Sequence, residues 1–322
     1  MERLSVVEVR GGVFEAEHPV AAVLVDARGE VLHRSGAPVE TTLRSSGKPF
    51  QLLASLSAQP DAFVASLSER DLALGAASHS AQPAHIEALV DLLARLQVPA
   101  EALECGAHAP MHAASGEALL AAGRRPQVLH NNCSGKHAFM VAAARAQGWP
   151  DDYRSPGHPL QQRISAVLER VFGGPPAAPV VDGCGAPCWV GELAVFGRGW
   201  ASLAAAMADP DARLGHIGWA LHRNPWWMSG DGRIDHHVVS SASEEVVSKE
   251  GAAGLLCVAL PRRQQALVLK VSSGVDRVRF AAVHALAARW LPGLLPEDPG
   301  ADRAGIRNVV GLPVGELVAV WG

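Results

Sequence analysis

Strand-like segments stand at the two ends of this chain and helical ones between them, and that distribution limits the fold more than any single residue does. Residues 20–25 and 31–34 are rich in Val and Leu and flank the turn sequence Asp26-Ala27-Arg28-Gly29, so they predict a β-hairpin. Residues 254–260 and 266–271 flank Pro261-Arg262-Arg263-Gln264-Gln265 and predict a second hairpin. Between these ends, apolar residues recur at helical spacing over 86–96 and 164–172, and 280–291 predicts a closing helix. Pro49 sets another helix start: proline is tolerated only in a first turn, so a helix through 50–56 begins just before it. The expected architecture is α+β, with an antiparallel sheet formed by the N- and C-terminal segments and helices around it. There is no internal repeat. The best candidate boundary, Pro175-Pro176-Ala177-Ala178-Pro179, is short, so residues 1–322 read as a single domain whose helical region covers roughly 49–175.

Composition narrows the function classes. Of 322 residues, 48% are hydrophobic and 19% charged, which is ample material for a core. A net charge of −4 gives no electrostatic footprint for nucleic acid or an anionic membrane. The opening Met1-Glu2-Arg3-Leu4 is not followed by the apolar run of a signal peptide, and no stretch approaches the ~18 apolar residues of a membrane span. A cytoplasmic location is the expectation. The cysteines number five, an odd count, and a reducing compartment disfavours a disulfide framework. Cys257, in the run Leu255-Leu256-Cys257-Val258, reads as a small buried hydrophobe.

Five short motifs carry chemistry. In Arg44-Ser45-Ser46-Gly47-Lys48-Pro49-Phe50-Gln51, Ser45 and Lys48 are three apart and share a face if both are helical. A serine hydroxyl needs a base to become a nucleophile, and a lysine serves only when neutral, a state that burial favours. The helix N-terminus suits a developing oxyanion. The plainer reading is a helix cap followed by a surface lysine. Ala77-Ser78-His79-Ser80 reads as a capping turn or as a second hydroxyl element, and Ser248-Lys249-Glu250-Gly251 as a turn or as a second lysine element. The order Ser-x-x-Lys, Ser-x-Ser, Lys-x-Gly matches the layout of serine β-lactamases and penicillin-binding proteins. His130-Asn131-Asn132-Cys133-Ser134-Gly135-Lys136-His137 and Asp182-Gly183-Cys184-Gly185-Ala186-Pro187-Cys188 contain thiols suited to zinc, yet neither has a paired Cys-x-x-Cys. Packing beside Trp189 is the plain reading of Cys188, and hydrogen-bonded structural roles are the plain readings of His130 and His137. Arg233 follows a glycine-rich turn and suits bidentate capture of a carboxylate; Asp182 reads as a partner for a substrate ammonium or as half of a structural salt bridge.

These segments together resemble the serine–lysine L-asparaginases of the asparaginase II family. The resemblance runs through the Arg44 to Gln51 motif, Ala77-Ser78-His79-Ser80, Cys105-Gly106-Ala107-His108, the asparagine–cysteine segment and Asp182 to Pro187. It continues through Gly230-Asp231-Gly232-Arg233, Lys249-Glu250-Gly251 and Asn308-Val309-Val310-Gly311, in order over nearly the whole chain. It implies a fold similar to the penicillin-recognising serine hydrolases and hydrolysis of L-asparagine to L-aspartate and ammonia. It implies two Ser–Lys pairs, Ser45 with Lys48 and Ser78 with Lys249. It also implies a zinc ion held by Cys133, Lys136 and Cys184, the lysine being neutral, and a homodimer.

Two departures bear on substrate preference. Gly47 replaces a bulkier residue and loosens the helix start, and Lys270-Val271-Ser272-Ser273-Gly274 lacks an acidic residue before the glycine. Two other readings compete. A β-lactamase-like hydrolase of the same fold acts outside the cytosol, where no export signal directs this chain. A silent amino-acid-binding protein has no need of two Ser–Lys pairs.

Overall fold

The computed structural model describes residues 2–174 and 179–322, so all but Pro179 of the candidate boundary loop lies outside the described residues. The chain forms two compact units. The first comprises residues 1–46, 191–205 and 237–322; the second comprises 47–190 and 206–236.

The first unit is built on an eight-stranded antiparallel sheet drawn from both ends of the chain, as the strand distribution led one to expect. Its order is Gly305–Arg307, Pro313–Trp321, Leu4–Arg10, Val13–Asp26, Gln265–Val271, Leu255–Leu260, Val247–Gly251, with Val31–Ser35 also pairing Val13–Asp26. Residues 20–25 are buried on both faces, which explains why this stretch is continuously apolar rather than alternating. Part of its cover is the Leu193–Ala206 helix. A Cβ on Gly197 would stand 2.5 Å from Val25 Cγ2, so only glycine lets this helix approach the strand so closely. The Val278–Trp290 helix packs on the strands from both chain ends, and the two predicted hairpins form at the expected places.

The second unit is helical. Every residue of the Lys48–Leu56 helix is buried, with Pro49 in its first turn, and it packs on Pro159–Phe172, Ser134–Ala146 and Arg213–Arg223. Phe50 meets Phe172 edge-on at 5.3 Å. Ser134–Ala146 presses against the end of Glu69–Gly75: a Cβ on Gly135 would lie 2.2 Å from Leu74 O. That contact is what the glycine in Ser134-Gly135-Lys136 is for. Ser68 and Asp71 form a reciprocal capping box, and Asp71 accepts two bonds from Arg95, at 2.7 and 2.5 Å. This ties together Glu69–Gly75 and Pro83–Leu96, the two helices that flank the loop carrying Ser78. Burial pushes the Asp71 carboxyl up, but Arg95 and Ser68 together hold it below its ordinary range. No helix among the described residues is long and apolar enough to cross a membrane.

Candidate active site

In the second unit the structure brings Lys48, Ser78, Cys133, Lys136 and Cys184 together. Lys48 is 1% exposed, and its Nζ donates to Ala77 O at 2.5 Å, Ser78 Oγ at 2.9 Å and Asn132 O at 3.4 Å. Burial lowers its pKa; Cys133 and Cys184 pull the other way, and Lys136 adds to the lowering. A lysine so placed holds its neutral form at lower pH than a free amine does. Ser78, 2% exposed, is therefore in direct contact with a lysine of lowered pKa.

The Ser78 loop is held on several sides. Ser78 N–H donates to Met228 O at 2.9 Å and Ser80 Oγ to Ser229 O at 2.6 Å. Gln82 and Asp231 exchange two bonds, Gln82 Nε2 to Asp231 Oδ2 at 2.7 Å and Asp231 N–H to Gln82 Oε1 at 2.9 Å. Gly230 has a φ of +107°, and a Cβ there would meet Gln82 Oε1 at 2.6 Å. The turn leading to Arg233 is thus stitched to the serine loop. Arg233 is half-buried, immediately before the Ile234–Ser241 helix.

The thiols form a second cluster. Lys136 Nζ lies 3.1 Å from Cys184 Sγ, and Cys133 shares a hydrogen bond with Cys184. Cys184 is held well below its ordinary pKa, first by that bond and then by the Lys136 charge against the cost of burial. Cys133 is correspondingly pushed up. Burial opposes the charge on Lys136, but Cys184 and Cys133 outweigh it and raise the Lys136 pKa. Of the two thiols, Cys184 is thus the one that ionises more readily, with the Lys136 amine beside it. Asp182 is half-buried. It shapes the tight turn that presents Cys184, accepting from Gly183 N–H at 2.7 Å, and its charge also raises Lys136.

Among the described residues no group of three or more His, Cys, Asp and Glu side chains could hold a metal. The donor set that does converge is two cysteines and one lysine amine. Soft thiolate donors suit zinc, so these residues fit the ion if the lysine nitrogen is counted. His130 Nδ1 is occupied by the Gln127 backbone. His137 is buried, bonds Tyr153 Oη through Nδ1 at 2.7 Å, and is driven by burial to a pKa of about 4.

The remaining sequence-selected residues, Ser45 and Lys249, belong to the first unit. Ser45 is half-buried in a 3-10 turn, Arg44–Gly47, rather than in the α-helix, which begins at Lys48. Arg44 opens that turn with a left-handed φ of 48°. Gly47 has ordinary helical angles, so its backbone does not itself require glycine. Lys249 is fully buried in the Val247–Gly251 strand, where its sequence reads equally as a turn.

Several positioning residues escaped the motif reading. Asn131 Nδ2 donates to Cys105 O at 2.8 Å and Gly106 O at 3.1 Å while its Oδ1 accepts from Cys133 N–H at 2.8 Å, which sets the thiol. Fully buried His79 accepts from Ala81 N–H through Nδ1 and so donates through Nε2 to Ser134 Oγ at 2.9 Å. Tyr153, outside every motif, accepts from Glu104 N–H at 2.8 Å and supports His137. The signal for Asn131 and His79 was the density of polar residues in stretches that fold inside; Tyr153 had none.

Comparison with curated protein sequences gave no match. Among solved structures, the chain is similar to a β-lactamase (Mb2281c) from Mycobacterium bovis at 14% identity and a TM-score of 0.42, covering 84% of this chain and 94% of that one. A putative β-lactamase from Bacteroides dorei DSM 17855 has 13% identity, a TM-score of 0.42 and the same coverage. The native form of Mglu in 4.3 M NaCl has 14% identity and a TM-score of 0.39, covering 90% of this chain and 66% of that one. The sequence model of the family described as L-asparaginase II matches residues 6–318. With the serine, lysine and thiol segments all inside that span, this chain belongs to the L-asparaginase II family.

Proposed function

We propose that this protein hydrolyses L-asparagine to L-aspartate and ammonia through a lysine-activated serine. The observation that carries the reading is the buried Lys48, lowered in pKa by its surroundings and 2.9 Å from the hydroxyl of Ser78, the relay serine of this reading. Lys48 Nζ bonds the carbonyls of Ala77 and Asn132 and the Ser78 hydroxyl, and burial outweighs the upward pull of Cys133 and Cys184 on its pKa.

In this reading Ser45 is the nucleophile and Lys48, three residues on, is its base. Ser45 Oγ bonds to the side-chain amide carbon, and its proton passes to the neutral amine. The tetrahedral adduct collapses with cleavage of the C–N bond, and the lysine returns the proton to the leaving ammonia. Water then cleaves the aspartyl ester by the same proton traffic. Ser78 and Lys249 form the second Ser–Lys pair, with the Lys48 contact making Ser78 a proton relay. Arg233 takes the substrate α-carboxylate and Asp182 its ammonium, and the protein works as a homodimer. Because the base acts when neutral, the rate rises from neutral towards alkaline pH.

Ammonia release from L-asparagine, L-glutamine and short amide analogues tests the reading. Turnover of asparagine is the expected outcome. Asparagine binding by calorimetry with no ammonia from any amide would leave a binding protein instead.

Zinc belongs to the same proposal, held by Cys133, Cys184 and Lys136; when bound it would fix these groups and supply a positive charge beside the serine site. Loading requires that thiol and amine donors give up their protons, and the raised pKa values of Cys133 and Lys136 oppose it. Titration of the metal-free protein with zinc should therefore release protons, with affinity rising with pH. Replacing Cys133 and Cys184 by Ser should abolish uptake. Full zinc content in that variant would move the ligands to His130, His137 or Cys188.

A further inference from the structure

Ser46, the second serine of the Arg44–Gly47 turn, is completely buried, and its Oγ donates to the backbone carbonyl of Lys249 at 2.9 Å. Val247–Gly251 is the terminal strand of its sheet. Leu255–Leu260 pairs one edge, and among the described residues no strand of that sheet pairs the other. A buried carbonyl on such an edge needs a donor from outside the ladder, and Ser46 supplies one. Two residues further along, the position of a Cβ on Gly251 is 3.1 Å from Leu43 O, the same oxygen that accepts the Ser46 N–H at 3.1 Å. The turn therefore rests on the strand at two points. The strand is independently anchored: Arg279 bonds the Glu250 carboxylate at 2.8 Å and the carbonyls of Gly251 and Leu255 at 3.0 Å each.

We infer that Ser46 is a positioning residue for amide hydrolysis. Its hydroxyl clamps the turn that carries Ser45 to the backbone of Lys249 and sets the nucleophile's register against the second lysine. The inference rests on the assignment of Ser45 and Lys249 to the reaction. Its physical basis is adjacency: Ser45 is the residue next to the donor, and Lys249 is the acceptor residue itself. A displacement of about 1 Å at a reacting centre is enough to cost a large part of the rate.

The test compares wild type with Ser46→Ala, Ser46→Cys and Ser46→Thr by steady-state kinetics on L-asparagine, pH–rate profile, melting temperature and hydrogen exchange of residues 247–251. Ser46→Ala should lower kcat by about 10- to 100-fold with KM within about twofold, shift the lysine limb of the profile and speed exchange in the strand. Ser46→Cys, close in size but a weak donor, should behave like Ala and stands in if Ala misfolds. Ser46→Thr, which keeps the hydroxyl, should recover most of kcat. Wild-type kcat in Ser46→Ala would overturn the inference alone. So would a loss of kcat that follows melting temperature, leaves the pH profile unmoved and is not rescued by Thr. A wild-type protein that releases no ammonia from any amide would instead overturn the reaction assignment, and the positioning role with it.

Discussion

Ser45→Ala is expected to lower kcat for ammonia release by at least ~10⁴-fold, the scale seen when a nucleophile is deleted from a serine hydrolase. Stability should change little. Ser45 is half-buried in a short turn closed by backbone bonds, the Ser46 N–H to Leu43 O bond among them, so its hydroxyl is not what keeps the turn together. The informative companion is Ser78→Ala. Removing a relay should cost less than removing the nucleophile and should leave residual turnover that still climbs with pH. Near-normal activity in Ser45→Ala, with Ser78→Ala inert, would transfer the nucleophile to Ser78, which already touches Lys48.

Lys48→Met is expected to lower kcat by about 10²- to 10⁴-fold, the contribution of a positioned general base, while the fold is kept. Methionine has nearly the same reach and no charge to bury. The effect on stability has a definite pH dependence. The folded-state pKa of Lys48 lies below its unfolded value. Between those two values the unfolded chain binds the extra proton, so wild-type stability rises with pH across that window, up to an unfolded lysine pKa of about 10.4. Relative to wild type, Lys48→Met should therefore be most stable at low pH and lose that advantage as the pH is raised. Denaturant melts of both proteins over a pH series check this. A variant whose relative stability improves with rising pH would mean that Lys48 is held charged by its surroundings.

Local chemistry was the legible part of this chain. The hairpin at 20–34 could be read because β-branched runs flank a turn sequence, and the Lys48 helix because Pro49 admits only one start. The same reading missed Leu4–Arg10 and Pro313–Trp321, whose pairing spans the whole sequence and leaves no local mark. Lys249 illustrates the cause. Lys-Glu-Gly has the composition of a turn, and it is a strand because Leu255–Leu260 pairs it and Ser46 and Arg279 satisfy its backbone.

The candidate site divides in the same way. Residue types in ordered motifs selected Ser45, Lys48, Ser78 and the two thiols. Spacing put Lys48 within reach of the serine three residues before it; it gave no sign of the Lys48 contacts with Ser78 and the carbonyls of Ala77 and Asn132. The turn before Lys48 is 3-10 and is entered through a left-handed arginine, which periodicity does not record. The opposed pKa shifts of Cys133 and Cys184 were equally invisible, since they depend on these thiols and Lys136 meeting in a buried place.

Acid quenching during turnover of L-asparagine, followed by peptide mapping of the protein by mass spectrometry, addresses the central claim most directly. The account expects an aspartyl ester on the peptide containing Ser45, absent from Ser45→Ala. Steady ammonia release with no acylated serine, or with the ester on Ser78 alone, would contradict it.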